Sequence, residues 1–289
     1  FQQLVVGDHF SETTSQPIVR LPGLALPCTF LFYFSNPMPM HLYSFAVHLY
    51  QNWNNPKALV FYIPKLENEE EALYFKNVID CSERLLQQQH PAYKLGTVRI
   101  IVVFENPRAI FRVNEIADAL YPYFAGGSLG WHDYLASATR LFHQGSTYRI
   151  PPKSDPNIVI KHMKAAHEMI ANVIGPRKGI CVGGMYGLVP EDNNIKSPSF
   201  QVCLIGYFKD VITQLKRGLN GFWFAYPKFG RIGLAIVEAW KSSDGEELQQ
   251  LIRSLIINTV DQDDLLKFIN GEDGETLDPL SETFSQSLI

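Results

Sequence analysis

The sequence predicts an α/β fold in which βαβ units build a parallel sheet, and three observations support this prediction. Short apolar runs alternate with amphipathic helical patterns along the chain. The length of 289 residues suits one large α/β barrel or two smaller domains, and a hydrophobic content of 46% allows a full-sized core. Charged residues follow several of the apolar runs, at the strand ends where an α/β barrel collects its chemistry.

The apolar runs predict six strands. The clearest is Val98–Phe104, and Ala58–Ile63 reads as a buried strand that Pro64 ends. The other four predicted strands are Ile18–Leu21, Phe124–Leu129, Ile180–Val182, which breaks into Gly183-Gly184, and Phe222–Ala225.

Helix start signals follow two of these strands. Asn68 is a plausible N-cap ahead of three glutamates, and Asn106 can cap a helix that has Pro107 at its first position. We expect that second helix to bury Ile110, Val113, Ala117 and Leu120. A long helix is predicted from about Asn157 to Ile174, where Gly175-Pro176 stops it.

The composition excludes several classes of function. The net charge is -4 and the basic residues are scattered, which indicates neither a nucleic-acid partner nor an anionic membrane surface. The longest apolar stretch, Leu24–Phe34, is too short to cross a bilayer, and no secretory signal is visible. The four cysteines lack metal-site spacing and fit a reducing compartment. We therefore expect a cytoplasmic or peroxisomal (glyoxysomal) protein that is not secreted, although Ser287-Leu288-Ile289 is not a Ser-Lys-Leu signal.

Polar side chains collect at the predicted carboxyl ends of the strands. An arginine and two carboxylates at one barrel mouth could hold a hard cation and an oxyanion together. Magnesium fits two carboxylates better than zinc does, since no cysteine or histidine joins them. The strand-end residues are Arg20, Lys65, Glu67, Glu105, Asp133, Met185 and Pro227.

Six segments resemble the malate synthases, in that family's order and with nearly its spacing across about residues 17 to 240. The interval of 28 residues from Glu105 to Asp133 also agrees without a gap. The segments are Ile18–Arg20 with Gly23, Tyr62–Glu67, Gly96–Glu105, Trp131–Tyr134, Val182–Met185 and Gly221–Pro227.

The resemblance implies a (β/α)8 TIM-barrel-like fold, of which six of the eight strands are recognisable here. It assigns residues 1–240 to the barrel, lacking its first strands, and 241–289 to a helical or irregular extension. We expect the chain to be the middle of a longer protein, without the family's C-terminal helical domain.

The resemblance also implies the chemistry, a magnesium-dependent Claisen condensation of glyoxylate with acetyl-CoA to malate and CoA, as in the glyoxylate cycle. Glu105 and Asp133 would be the Mg²⁺ ligands, and Arg20 the catalytic residue that binds substrate oxygens and stabilises an enolate. Backbone N–H groups near His132 and Asp133 would hold the glyoxylate carboxylate. Lys65 and Glu67 are further candidates for substrate contact. Pro227, Tyr226 and Met185 would line the acyl-CoA channel.

Three departures from the family keep other functions open. The general-base aspartate motif and an early acidic strand motif are not in this chain, and Leu21–Ala25 replaces the family's Pro-Arg-Gly-Trp-His. One alternative is a lyase that cleaves citramalyl-CoA or malyl-CoA on the same barrel. Another is a degenerate barrel that binds acyl-CoA or a partner, without catalysis. The expected partners are small-molecule substrates, with a homo-oligomer or a partner chain completing the barrel.

Structural explanations compete with these functional assignments residue by residue. Asp133 could simply cap a helix that begins near Tyr134. Lys65 and Glu67 could form a salt-bridged pair at a strand end. Gly183-Gly184 could be a tight turn without ligand contact.

Overall fold

The structure, a computed structural model, describes residues 16–145, 161–242 and 245–271. The chain divides into two compact units, of which unit 1 is Phe1–Ser137 with Val173–Ile180, and unit 2 is Ala138–Asn172 with Cys181–Ile289. The predicted helix start at Asn157 and the chain end at Ile289 lie outside the described residues. The predicted division at residue 240 stays a prediction.

Unit 1 alternates parallel strands with helices, which confirms the predicted α/β class. Its four parallel strands lie side by side in chain order, and a separate two-stranded hairpin precedes the first helix. The strands are β1 (Val19–Arg20), β2 (Pro27–Tyr33), β3 (Asn36–Pro39), β4 (Val60–Ile63), β5 (Arg99–Phe104) and β6 (Phe124–Leu129). The helices are α1 (Met40–Asn52), α2 (Glu69–Gln89), α3 (Pro107–Phe111), α4 (Val113–Ala119) and α5 (Trp131–Phe142), which continues into unit 2.

The register of these strands sets which side chains share a face. Arg20 pairs with Tyr62, and Tyr62 pairs with Ile101. Because side chains alternate along a strand, Val103 shares the face of Ile101, and it packs with Ile101 and Tyr62 in one buried cluster. The residue at the next position on that face is Glu105, just beyond the end of β5.

The helix caps match the predictions, but the second helix is interrupted. The Asn68 side chain accepts from the N–H of Glu71, and that of Asn106 accepts from Ala109. A single helix after Pro107 was wrong: Arg112, at φ -115°, separates α3 from α4. The 3-4-3 apolar spacing still places Ile110 and Val113 in the core, which is why the pattern did not reveal the break.

The β2–β3 hairpin was not predicted. Its first strand falls within the apolar stretch Leu24–Phe34, where apolar and polar residues do not alternate and most of the large side chains are exposed. Phe34, at the turn, adopts φ 52° and is 85% exposed. Cys28 is the hairpin residue that is fully buried.

Unit 2 contains two further parallel strands and a helical layer. Its elements are the greater part of α6 (Lys161–Ile174), most of β7 (Ile180–Tyr186), α7 (Pro198–Lys216), β8 (Gly221–Phe224), α8 (Phe229–Lys241), α9 (Glu246–Leu255) and α10 (Thr259–Asn270). Tyr207 and Phe229 stack at the centre of its core, which Ile252 of α9 and Leu265 of α10 also enter.

The predicted end of the strand at Val182 was wrong, because β7 continues through both glycines to Tyr186. A side chain at Gly183 would collide with the Gln214 amide, since an added Cβ would lie 1.7 Å from its Oε1. Glycine here allows α7 to approach the strand, and pairing with β8 resumes at Met185 opposite Trp223. The tight-turn alternative for Gly183-Gly184 is therefore also wrong.

A buried carboxylate fixes α2 to the segment that leads into β5. Glu83 is fully buried, and it accepts from the Tyr93 hydroxyl at 2.7 Å and from the N–H groups of Gly96 and Val98 at 2.6 and 3.1 Å. Buried donors of this kind are costly to leave unpaired. The network therefore sets where β5 begins.

We expect Glu83→Ala to lower the free energy of unfolding by about 3 kcal/mol or more, because the Tyr93 hydroxyl and the N–H groups of Gly96 and Val98 lose their acceptor. Urea denaturation followed by circular dichroism measures this. Gln88→Ala, at an exposed position of the same helix, is the control and should change stability by less than about 0.5 kcal/mol. A loss below 1 kcal/mol in the Glu83 variant would show that the network does not carry the stability assigned to it.

Candidate functional site

Glu105 is a buried carboxylate of unit 1 that directly follows the apolar strand β5 and is only 3% exposed. Its Oε1 accepts from the backbone N–H of Lys65 at 2.6 Å. Burial of an ionised carboxylate is unfavourable unless hydrogen bonds and charges compensate. Glu105 can therefore be ionised only if neighbouring residues provide hydrogen bonds and a positive charge.

Lys65 supplies that compensation in two ways. Its backbone has φ 63°, in the left-handed region that a lysine adopts at a cost of about 1 kcal/mol. In this conformation the Lys65 N–H donates to Glu105 Oε1. Its ammonium lies 2.8 Å from Asp133 Oδ1 and 3.6 Å from Glu105 Oε2, so one side-chain cation contacts both carboxylates.

Asp133 lies in the first turn of α5, which begins at Trp131. The alternative that Asp133 caps a helix starting near Tyr134 is therefore wrong. Its side chain, about half exposed, accepts from the Lys65 ammonium instead. The salt bridge of Lys65 thus runs to Asp133 and Glu105, and not to the predicted alternative partner Glu67.

The two carboxyl groups have opposite pKa shifts. Burial raises the pKa of Glu105 to about 7, helped by its hydrogen bond with Asp133 and opposed by the Lys65 charge. The Lys65 hydrogen bond lowers the pKa of Asp133, and the Arg20 charge acts in the same direction. Near neutral pH, Asp133 is ionised, while Glu105 is divided between its protonated and ionised forms.

Arg20 lies at the end of β1, exposed, with its guanidinium carbon 6.0 Å from the centre of the Tyr62 ring. The Tyr62 hydroxyl hydrogen-bonds Ser128 on β6, and both residues are buried. This pair joins β4 to β6 on the face that carries Glu105. Sequence reasoning named Tyr62 only within a motif and missed Ser128, because a serine inside a strand gives no signal of its partner.

Gly130 was also missed, and it borders Glu105 directly. A Cβ at this position would lie 2.6 Å from Glu105 Cβ and 2.7 Å from Val103 Cγ1. Its N–H donates to the Phe104 carbonyl at 2.9 Å. The absence of a side chain lets the start of α5 approach the end of β5, which brings Asp133 near Glu105. A glycine immediately before Trp131-His132-Asp133 was the available signal.

The remaining predicted site residues lie near strand ends or in the first turn of α5. Glu67 is exposed, and its backbone N–H donates to Glu71 Oε2 at 2.7 Å. His132 is exposed beside Asp133, with its ring 4.3 Å from that of Trp131. In unit 2, Met185 lies near the carboxyl end of β7, and Tyr226 and exposed Pro227 follow β8.

The donor set suits a metal that takes most of its ligands from water and substrate. Within the described ranges, no three His, Cys, Asp or Glu side chains form a group that could hold a metal ion. Magnesium is commonly held by one or two carboxylates together with waters and substrate oxygens. Two carboxylates that already share one ammonium form a position suited to a cation. Glu105 and Asp133 therefore fit Mg²⁺ better than a fully protein-coordinated ion.

The family model described as malate synthase, TIM barrel domain, matches residues 17–268. The chain belongs to this family. As a malate synthase TIM barrel domain, it has the (β/α)8-type fold that the resemblance implied, with six parallel strands among the described residues.

The relatives are distant malate synthases. The glyoxysomal malate synthase of Cucumis sativus is 24% identical over 224 residues, which are 75% of this chain and 38% of that protein. The malate synthase of Arabidopsis thaliana is 23% identical over 270 residues, 90% of this chain and 46% of that protein. The chain therefore spans roughly two fifths of the length of these relatives.

Two solved structures share the fold. A Haloferax volcanii malate synthase in a pyruvate/acetyl-CoA ternary complex has a TM-score of 0.51 at 14% identity, over 92% of this chain and 64% of that one. A Burkholderia xenovorans citrate lyase has a TM-score of 0.52 at 13% identity, over 91% of this chain and 75% of that one. In the part of the malate synthase domain that the structure describes, no helix has the length and apolarity needed to span a membrane.

The pKa of Glu105 predicts a specific pH dependence of stability. Because the folded-state pKa is raised from 4.5 to about 7, the contribution of Glu105 is fully present below pH 4.5 and is lost as pH rises through 7. With a metal chelator present, the wild type should lose about 3 kcal/mol relative to Glu105→Gln between pH 4.5 and pH 8. Urea unfolding of both proteins across this range measures the difference. A constant difference would contradict the raised pKa.

Gly130→Ala should destabilise the protein by about 1–3 kcal/mol, because its Cβ overlaps Glu105 and Val103. Thermal unfolding measures this effect. Gly175→Ala is the matched control, since its Cβ would meet no atom within 4 Å. Equal behaviour of the two variants would contradict the close approach of α5 to Glu105.

Proposed function

We propose that this chain carries the metal and keto-acid part of a malate synthase active site, which condenses glyoxylate with acetyl-CoA to give malate and CoA. The supporting observation is that Lys65 contacts both Glu105 and Asp133, where β4 and β5 end and α5 begins, in a malate synthase TIM barrel domain. Because the chain spans only part of its relatives, the complete activity belongs to this proposal.

Glu105 and Asp133 would hold Mg²⁺ in this proposal. The ion would supply Lewis acidity that polarises the aldehyde of glyoxylate. The protein's own contribution is to keep a buried carboxylate, Glu105, close to a half-exposed one, Asp133. Lys65 and Gly130 contribute to this in the structure, the first through its backbone N–H to Glu105 and the second through its lack of a side chain.

The oxygens of the substrate would be bound by two features of unit 1. The N-terminus of α5, where His132 and Asp133 lie, presents backbone N–H groups that suit the glyoxylate carboxylate. Arg20 is exposed at the end of β1 and carries the charge needed to stabilise an enolate oxygen. Lys65 and Glu67 follow β4 and are proposed as further substrate contacts.

The proposed condensation and hydrolysis need no external oxidant or reductant. A C–H bond of the acetyl methyl breaks and its proton passes to a base, a role that the family resemblance gives to an aspartate in a helical domain after the barrel. The methyl carbon then bonds to the aldehyde carbon, and the aldehyde oxygen gains a proton. Water finally cleaves the thioester to release malate and CoA.

Acyl-CoA binding is proposed for Met185, Tyr226 and Pro227. All three follow or end the parallel strands of unit 2, and Met185 and Pro227 are exposed. The Haloferax malate synthase was solved with pyruvate and acetyl-CoA, which supports ligands of this class for the family. The glyoxysomal names of several relatives support a glyoxysomal location beside the cytoplasmic alternative.

The decisive assay supplies glyoxylate, acetyl-CoA and Mg²⁺ to the full-length protein and follows release of free CoA. Glu105→Gln and Asp133→Asn should each lower kcat/KM by about a hundredfold or more, because each removes a charged ligand. Glu70→Gln, an exposed carboxylate of α2, is the control and should leave the rate unchanged. Citramalyl-CoA and malyl-CoA serve as parallel substrates: cleavage of these without condensation would favour a lyase, and neither reaction would favour a binding protein.

A further inference from the structure

The ammonium of Lys65 occupies the position between the two proposed metal ligands. It lies 2.8 Å from Asp133 and 3.6 Å from Glu105, so it neutralises part of their combined negative charge. A divalent cation held by the same two carboxylates needs that position. Lys65 and the metal therefore compete for one place.

The backbone and the side chain of Lys65 differ in freedom. The backbone is held at φ 63° by its hydrogen bond to Glu105 Oε1, and β4 ends just before it. The side chain is 53% exposed, and Gly23 beside it offers no side chain that would confine its Cβ and Cγ. The ammonium can thus move into solvent while the backbone contact with Glu105 persists.

We propose that Lys65 is a built-in competitor for the metal, whose ammonium closes the Glu105–Asp133 pair and leaves when a divalent cation enters. This inference rests on the proposed function, since it takes these carboxylates as the metal ligands. A cation of charge +2 attracts both carboxylates more strongly than an ammonium does. The released ammonium remains near the strand end, close to where the anionic keto acid would bind. Lys65 is therefore a positioning residue whose backbone and side chain have separate roles.

The test replaces the ammonium and keeps everything else. Lys65→Met retains the side-chain length and the backbone N–H that binds Glu105. Calorimetric titration of the full-length protein with Mg²⁺ alone, at pH 8, should give about three- to tenfold tighter binding for this variant, because a half-exposed ion pair no longer has to be broken. Lys76→Met removes a lysine that pairs with Asp80 elsewhere in unit 1, and it should leave Mg²⁺ affinity unchanged. Unchanged or weaker Mg²⁺ binding by Lys65→Met would overturn the inference.

A second measurement needs no variant. Acetic anhydride labelling of the wild type, quantified by mass spectrometry, should modify Lys65 several times faster with saturating Mg²⁺ than with a chelator, because the ammonium leaves its carboxylate partners. Lys76 provides the internal reference and should not change. Equal Lys65 labelling in both conditions would contradict displacement, even if Lys65→Met failed to fold.

The outcomes separate this inference from the proposed function. Mg²⁺ binding to the wild type that is lost in Glu105→Gln and unaltered in Lys65→Met would reject the lysine competition and leave the metal site standing. No Mg²⁺ binding to the wild type would reject both.

Discussion

The burial of one carboxylate determines the arrangement of this site. Glu105 extends the buried face of Ile101 and Val103 beyond the end of β5, and only 3% of its side chain is exposed. An ionised group in such a place requires donors and an opposite charge nearby. Lys65 provides both, at the cost of a left-handed backbone, and Gly130 provides the space.

The same contacts leave the negative charge of the two carboxylates only partly neutralised. Burial favours the protonated form of Glu105, whereas the Lys65 ammonium favours the ionised form of both carboxylates. With one lysine between two acids, the pair is close to accepting either a proton or a cation. A site that binds a metal and then a keto acid benefits from carboxylates that are held in place yet incompletely neutralised.

Much of the fold was predictable because it depends on local signals. The strands follow from apolar runs, and the starts of α2 and α3 follow from Asn68 and Asn106, whose side chains accept from the first turn. The continuation of β7 through Gly183 was not predictable, because it depends on the approach of Gln214 from α7. The exposed hairpin was missed for a related reason: apolar composition alone does not reveal whether a segment is buried.

The candidate site also has parts that were predictable from the sequence and parts that were not. Glu105 and Asp133 could be proposed from their strand-end positions, since the carboxyl ends of parallel strands meet at one edge. The position of the Lys65 ammonium between them could not, because it depends on a backbone angle and a distance across 68 residues of sequence. The chain belongs to the malate synthase family, which is why we propose malate synthase chemistry for this site. That proposal requires the chain to bind Mg²⁺ and glyoxylate.

One binding measurement tests that account most directly. Glyoxylate is titrated calorimetrically into the full-length protein, first with saturating Mg²⁺ and then with a chelator. If Glu105 and Asp133 hold the ion that receives the keto acid, glyoxylate should bind only with Mg²⁺, and Asp133→Asn should abolish this binding. Glyoxylate binding of equal strength without the metal, or none in either condition, would contradict the account.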